Sequence, residues 1–128
     1  MLAFFFWREF KMADEKSDYG KPAWDPKIAS ELQGAIVLVG ITYVDQDDKP
    51  VSKKEFYGIV TEVDVTRGVA IECHGSTLRG QTYWLPPDLR AFFRAKPGSY
   101  RLHSTGEKLV DPDYTTTWTI TQPEHQPQ

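Results

Sequence analysis

At 128 residues, with 40% hydrophobic, 26% charged and 13% aromatic side chains, the chain has the makeup of one folded domain, too short for a doubly wound nucleotide enzyme. Fifteen Lys and Arg against eighteen Asp and Glu leave a net charge of -3. An undirected electrostatic hold on nucleic acid or anionic lipid is therefore not expected, and such a contact needs a local patch.

The first ten residues (MLAFFFWREF) hold five aromatics, but the uncharged apolar run stops at Trp7. A signal core takes about 7 to 15 residues and a spanning helix about 20, so neither is predicted. A working start at Met12 is the first reading, with an aromatic arm packed on the domain and an interfacial anchor as alternatives. Residues 1–24 as a whole read as a flexible lead-in, because residues 13–24 are polar and carry Gly20 and Pro22.

Asp25 then offers a helix cap and Pro26 a favoured first-turn residue ahead of Ile28 and Leu32 on one face, with Gly34 as the stop. From residue 35 the period changes. Residues 35–44 (AIVLVGITYV) read as a strand buried on both faces. After the polar turn 45–50, residues 55–64 form a second strand, in which Gly58 marks a bulge or a close backbone approach. A tight turn at 65–68 leads into 69–73, with Val69, Ile71 and Cys73 on one face and Ala70 and Glu72 on the other. Residues 82–85 make a short strand stopped by Pro86 and Pro87, followed by a helical turn at 88–93 with Leu89, Phe92 and Phe93 on its apolar side. A short strand at 100–103 precedes the turn 104–107. In residues 114–121, Tyr114, Thr116, Trp118 and Ile120 alternate with four threonines. The predicted fold is all-β and mainly antiparallel, a small bent sheet or an SH3-like or OB-like barrel of five to six strands with one short N-terminal helix. The domain spans residues 25–121, and 122–128 form a flexible tail.

The single cysteine, Cys73, allows neither an intrachain disulfide nor a cysteine-built zinc cage, and it suits the reducing cytoplasm. Cys73 and His74 are strand neighbours and point to opposite faces, so they form no dyad. Ser76, Ser104, His74 and His103 lack a nucleophile-elbow pattern. The acidic run from Asp45 lacks the glycine and glutamate of a calcium loop, and Asp111 and Asp113 flank a proline as turn residues. No glycine-rich phosphate cradle opens a helix. No cofactor, metal or membrane partner is predicted.

The informative charge feature lies between residues 79 and 101. Arg79, Arg90, Arg94, Lys96 and Arg101 face one acid, Asp88, and Tyr83, Trp84, Phe92, Phe93 and Tyr100 lie among them. Arginine with exposed aromatics is the composition of interaction surfaces. The candidate binding residues are Arg79, Tyr83, Trp84, Arg90, Arg94 and Arg101. The bland alternative is that Trp84, Leu89, Phe92 and Tyr100 fill the barrel end while the arginines stay in water.

Residues 85–93 (LPPDLRAFF), 97–107 (PGSYRLHSTGE) and 111–118 (DPDYTTTW) resemble small stand-alone bacterial proteins of one all-β domain with no assigned activity. The resemblance spans residues 39–121. It implies the fold class and transfers no catalytic residue. The expected function is that of a cytoplasmic, non-enzymatic binding domain for a protein partner, of accessory or toxin-neutralising immunity type. A nucleic-acid-binding small barrel is the second reading and a small hydrolase the third.

Overall fold

Asp25 and Pro26 start the helix as the sequence predicts. In the computed structural model, which describes residues 10–12, 22–76 and 78–122, α1 (Pro26–Leu32) is capped by the Asp25 side chain, which accepts from the Lys27 N–H at 2.9 Å. Gly34, at φ +81°, turns the chain out of the helix, and its N–H donates to the Val60 carbonyl at 2.9 Å. No helix among the described residues is long and apolar enough to cross a membrane.

Strand makes up 53% of the described residues. The strands are β1 (Phe10–Met12), β2 (Ile36–Val44), β3 (Pro50–Asp64), β4 (Gly68–His74), β5 (Thr82–Leu85), β6 (Phe92–Arg94), β7 (Ser99–Arg101), β8 (Lys108–Val110) and β9 (Tyr114–Thr121). Seven of them form one sheet curled into a half-barrel, in the order β1-β9-β2-β3-β4-β5, with β6 also on β9. β6 takes residues 114–116 of β9 and β1 takes 118–120, so two short strands share one edge. β7 and β8 pair only with each other.

The all-β class and the bent sheet are as predicted, and several details differ. Nine strands are present among the described residues where five to six were expected, because β1, β6 and β8 are three residues long and too short to show a period of two. One of them, β1, lies inside the predicted lead-in and pairs Met12 with Trp118. The remainder of that lead-in, residues 1–9 and 13–21, and all of the predicted tail except Gln122 lie outside the described residues. β3 begins at Pro50, five residues before the predicted start, as a polar and exposed edge segment that hydrophobic patterning does not register. Between β2 and β9 the pairing is parallel, since the long connection through β3 to β8 returns the chain to the end of β2 where β2 began.

β2 is not buried on both faces. Val37, Val39 and Ile41 enter the core, while Ile36, Leu38, Gly40 and Thr42 on the opposite row are only half-buried. The continuous apolar run therefore records one dry face and one partly covered face. Gly58 meets the second of its two expectations, close approach: a Cβ there would collide with the Glu72 carbonyl and lie 2.7 Å from Ile71 Cγ2. The bulge itself falls between Val60 and Glu62.

The core joins these strands to the helix through Leu32, Val39, Phe56, Ile71, Phe92 and Trp118, among others. Cys73 belongs to it, at 1% exposure. From β5, buried Pro86 and a 3₁₀ turn (Leu89–Ala91) carry the chain to β6 and place Leu89 and Ala91 in the same core. Leu102 and Leu109 are buried outside this cluster, beneath the β7–β8 hairpin.

Candidate functional site

Strand pairing separates the six candidate residues. Arg79 lies exposed in the turn between β4 and β5. Tyr83 and Trp84 are adjacent on β5 and leave it on opposite faces. Tyr83 turns to the core and tilts against Phe56, with ring centroids 4.8 Å apart. Burial pushes its phenol well above the usual tyrosine range, and the neighbouring Tyr43 adds to the effect. Trp84 carries the Arg67 guanidinium 5.2 Å over its ring, and Arg67 in turn pairs with Glu62.

Arg90 is half-buried and joined to Asp88, with contacts of 2.6 and 2.8 Å. Asp88 also caps the 3₁₀ turn by accepting from the Arg90 N–H. The one acid of the basic segment is thus spent on its nearest arginine. Arg101 sits on the hairpin, where its Nη1 donates to the Gly106 carbonyl at 3.1 Å. Of the residues assigned to the barrel end, Leu89 and Phe92 are in the core, whereas Trp84 and Tyr100 are half-buried and outside it.

Arg94 opens on a groove. β6 pairs Arg94 with Tyr114 across the strands, so the guanidinium lies 5.5 Å over the phenol ring. The helix brings Glu31 to the same point, and its Oε1 lies 3.2 Å from Arg94 Nη2 and accepts from the Tyr114 hydroxyl at 3.4 Å. Even so, the Arg94 side chain is 72% exposed. With Gln33, Gly34 and Asp113 these residues line an open groove of about 370 Å³. Burial raises the Tyr114 pKa; Arg94 opposes the rise, while Glu31 and Asp113 add to it. The phenol is neutral at pH 7 and serves as a donor. Asp113 is occupied too, accepting the Ile36 N–H at 2.8 Å. Arg94 is left as a cation steered by a ring and a carboxylate, with donors still facing solvent.

Glu31, Asp113 and Tyr114 were not among the candidates. Glu31 and Arg94 are 63 positions apart and Glu31 and Tyr114 are 83 apart, and no local pattern reports such a meeting.

A second groove, of about 440 Å³, is lined by Lys53, Glu55, His103 and Ser104. Its residue types are those of a hydrolytic triad, but its geometry is that of a clip. Ser104 Oγ accepts the Glu55 N–H at 3.3 Å and donates to the Glu55 carbonyl at 3.4 Å. The Glu55 carboxylate accepts the N–H groups of His103 and Ser104. The imidazole lies 3.5 Å from that carboxylate and is 89% exposed. Ser76 is likewise held by Glu107, at 3.2 and 3.3 Å. Cys73 and His74 leave β4 on opposite faces, and burial pushes the Cys73 thiol up, with Lys54 only partly offsetting it. The acidic turn folds on itself, Asp45 accepting from Asp47 and Lys49. Among the described residues no cluster of three His, Cys, Asp or Glu side chains is placed to hold a metal ion. Neither the protein-family models, nor the curated proteins, nor the solved structures include a match to the chain.

Proposed function

We propose that the chain is a non-enzymatic binding domain for a protein partner, with the Arg94 groove as its contact site. The observation that carries this reading is Arg94 itself, 72% exposed yet held over Tyr114 and against Glu31. A guanidinium already oriented loses less freedom on binding than a loose one, which favours it as an interface anchor. The open groove beside it, lined also by Gln33, Asp113 and Tyr114, leaves room for a polar side chain of the partner.

An accessory or toxin-neutralising immunity protein is the narrower form of the proposal, and an SH3-like or OB-like small barrel is the fold type that goes with it. A cytoplasmic location suits the lone buried thiol of Cys73. The protein reading is favoured over a nucleic-acid one because Tyr83 turns inward and tilts against Phe56, away from any base. The test is capture of cell proteins by wild type and by Arg94→Glu, with nuclease treatment and a salt titration. Loss of specific captured proteins on Arg94→Glu, with melting unchanged, is the expected result. Equal capture by both forms refutes the site, and binding that nuclease abolishes transfers the reading to nucleic acid.

A further inference from the structure

The β7–β8 hairpin presents two basic side chains on its outward face. Tyr100 and Leu109 point inward, so Ser99, Arg101, Lys108 and Val110 point out. Arg101 and Lys108 are directly opposite each other across the two strands. Like charges in that relation destabilise a ribbon. Among the described residues neither has a carboxylate partner, whereas Arg67, Arg90 and Arg94 each have one.

The nearby acids are committed elsewhere. Glu55 accepts from His103 and Ser104, Glu107 from Ser76 and Thr105, and Asp111 from the Gly98 N–H at 2.7 Å. Beside the two cations Val110 is 56% exposed and Ser99 is its cross-strand partner. The face is therefore two cations without an ion-pair partner among the described residues, next to one apolar side chain.

We infer that this face docks an acidic peptide segment of a protein partner, with carboxylates on Arg101 and Lys108 and an apolar side chain on Val110. A nucleic acid fits it less well. Tyr100, the hairpin's aromatic, is half-buried on the inner face with its hydroxyl on the Lys96 carbonyl at 2.7 Å, so no stacking platform is offered. The net charge of -3 also disfavours a long polyanion more than a short acidic segment. The inference is independent of the Arg94 groove, which lies on the other sheet, and either can fail alone.

The test is an amide chemical-shift titration of the full chain with the acidic hexapeptide Glu-Asp-Leu-Glu-Asp-Leu, its Gln/Asn counterpart, and a thymidine hexanucleotide. The acidic peptide should shift Ser99, Arg101, Lys108 and Val110, and the amide peptide should not. Lys108→Glu places a carboxylate opposite Arg101, so its melting temperature should equal or exceed that of wild type while peptide affinity falls about tenfold or more. Lys108→Gln removes the charge without reversing it and should weaken binding less. The inference is overturned by shifts absent from the hairpin, by equal binding of the amide peptide, or by full affinity in both Lys108 variants. Tighter binding of the hexanucleotide than of the acidic peptide overturns it in favour of nucleic acid.

Discussion

Arg94 and Arg101 belong to the same basic stretch of sequence and end in opposite physical situations. The Arg94 corner is built on the core: β6 lies along β9, and Phe92 meets Trp118 edge-on with centroids 6.5 Å apart. Its charge is matched by Glu31. The hairpin that carries Arg101 covers the buried Leu102 and Leu109 and is tied to the neighbouring strands by the Glu55 and Glu107 carboxylates, and among the described residues its two outward cations have no carboxylate partner. A surplus of charge along the chain thus says little about charge on the surface until strand pairing has assigned partners. The difference also predicts mechanics, since a corner resting on packed aromatics fails only with the core, whereas a clipped hairpin can open alone.

The largest effect should come from removing what the corner stands on. Trp118 is buried among the strands and shares its face with Tyr114 and Thr116. Trp118→Ala should cost about 3 to 5 kcal/mol through the cavity it leaves. Chemical denaturation measures this, and a loss below about 1 kcal/mol would show that the core does not depend on the ring.

Next comes the clip. Glu55→Ala removes the acceptor shared by two backbone N–H groups and should cost about 1 to 3 kcal/mol, felt chiefly by the hairpin. Hydrogen exchange should rise in residues 99–110 while β2 and β4 stay protected. If all strands lose protection together, the hairpin is a cooperative part of the core and the contrast with the corner fails.

A smaller effect of opposite sign is expected at Thr116, which pairs with Phe92 beneath the Arg94 corner. Its Oγ1 is buried with no hydrogen-bond partner among the described residues. Thr116→Val replaces that hydroxyl with a methyl of similar shape and should stabilise the fold by about 1 kcal/mol. Destabilisation on the same scale would mean that the hydroxyl is satisfied in solution, for instance by a water.

Much of the fold was legible because its signals are local. The Asp25 cap, the alternation of β9 and the inward parity of Cys73 follow from periods and caps that need no tertiary information. Three-residue strands and the parallel return of β9 beside β2 depend on long-range pairing. The site divides in the same way. Arg94 and Arg101 are exposed as a strand end and a ribbon face would make them. Their difference in partnership comes from Glu31, on a helix distant in sequence, and from a register that sets Lys108 against Arg101.

The smallest stability change should come from Arg94→Glu, and its interest lies in what else it moves. The exposed pair with Glu31 contributes little, so the variant should lie within about 0.5 kcal/mol of wild type. Tyr114, however, feels the guanidinium directly. Arg94 holds the Tyr114 pKa down against burial and Glu31, and a carboxylate in its place would push it further up. Because the folded pKa is raised, the stabilisation from the neutral phenol is complete below the unfolded tyrosine value of about 10 and is lost as pH rises through the folded value. Alkaline titration of the Tyr114 ring by NMR should therefore show a higher midpoint in Arg94→Glu than in wild type, with denaturation midpoints at pH 7 nearly equal. An unchanged Tyr114 midpoint would mean that the guanidinium does not rest over the ring in solution. The corner would then lose the orientation that distinguishes Arg94 from the cations of the hairpin.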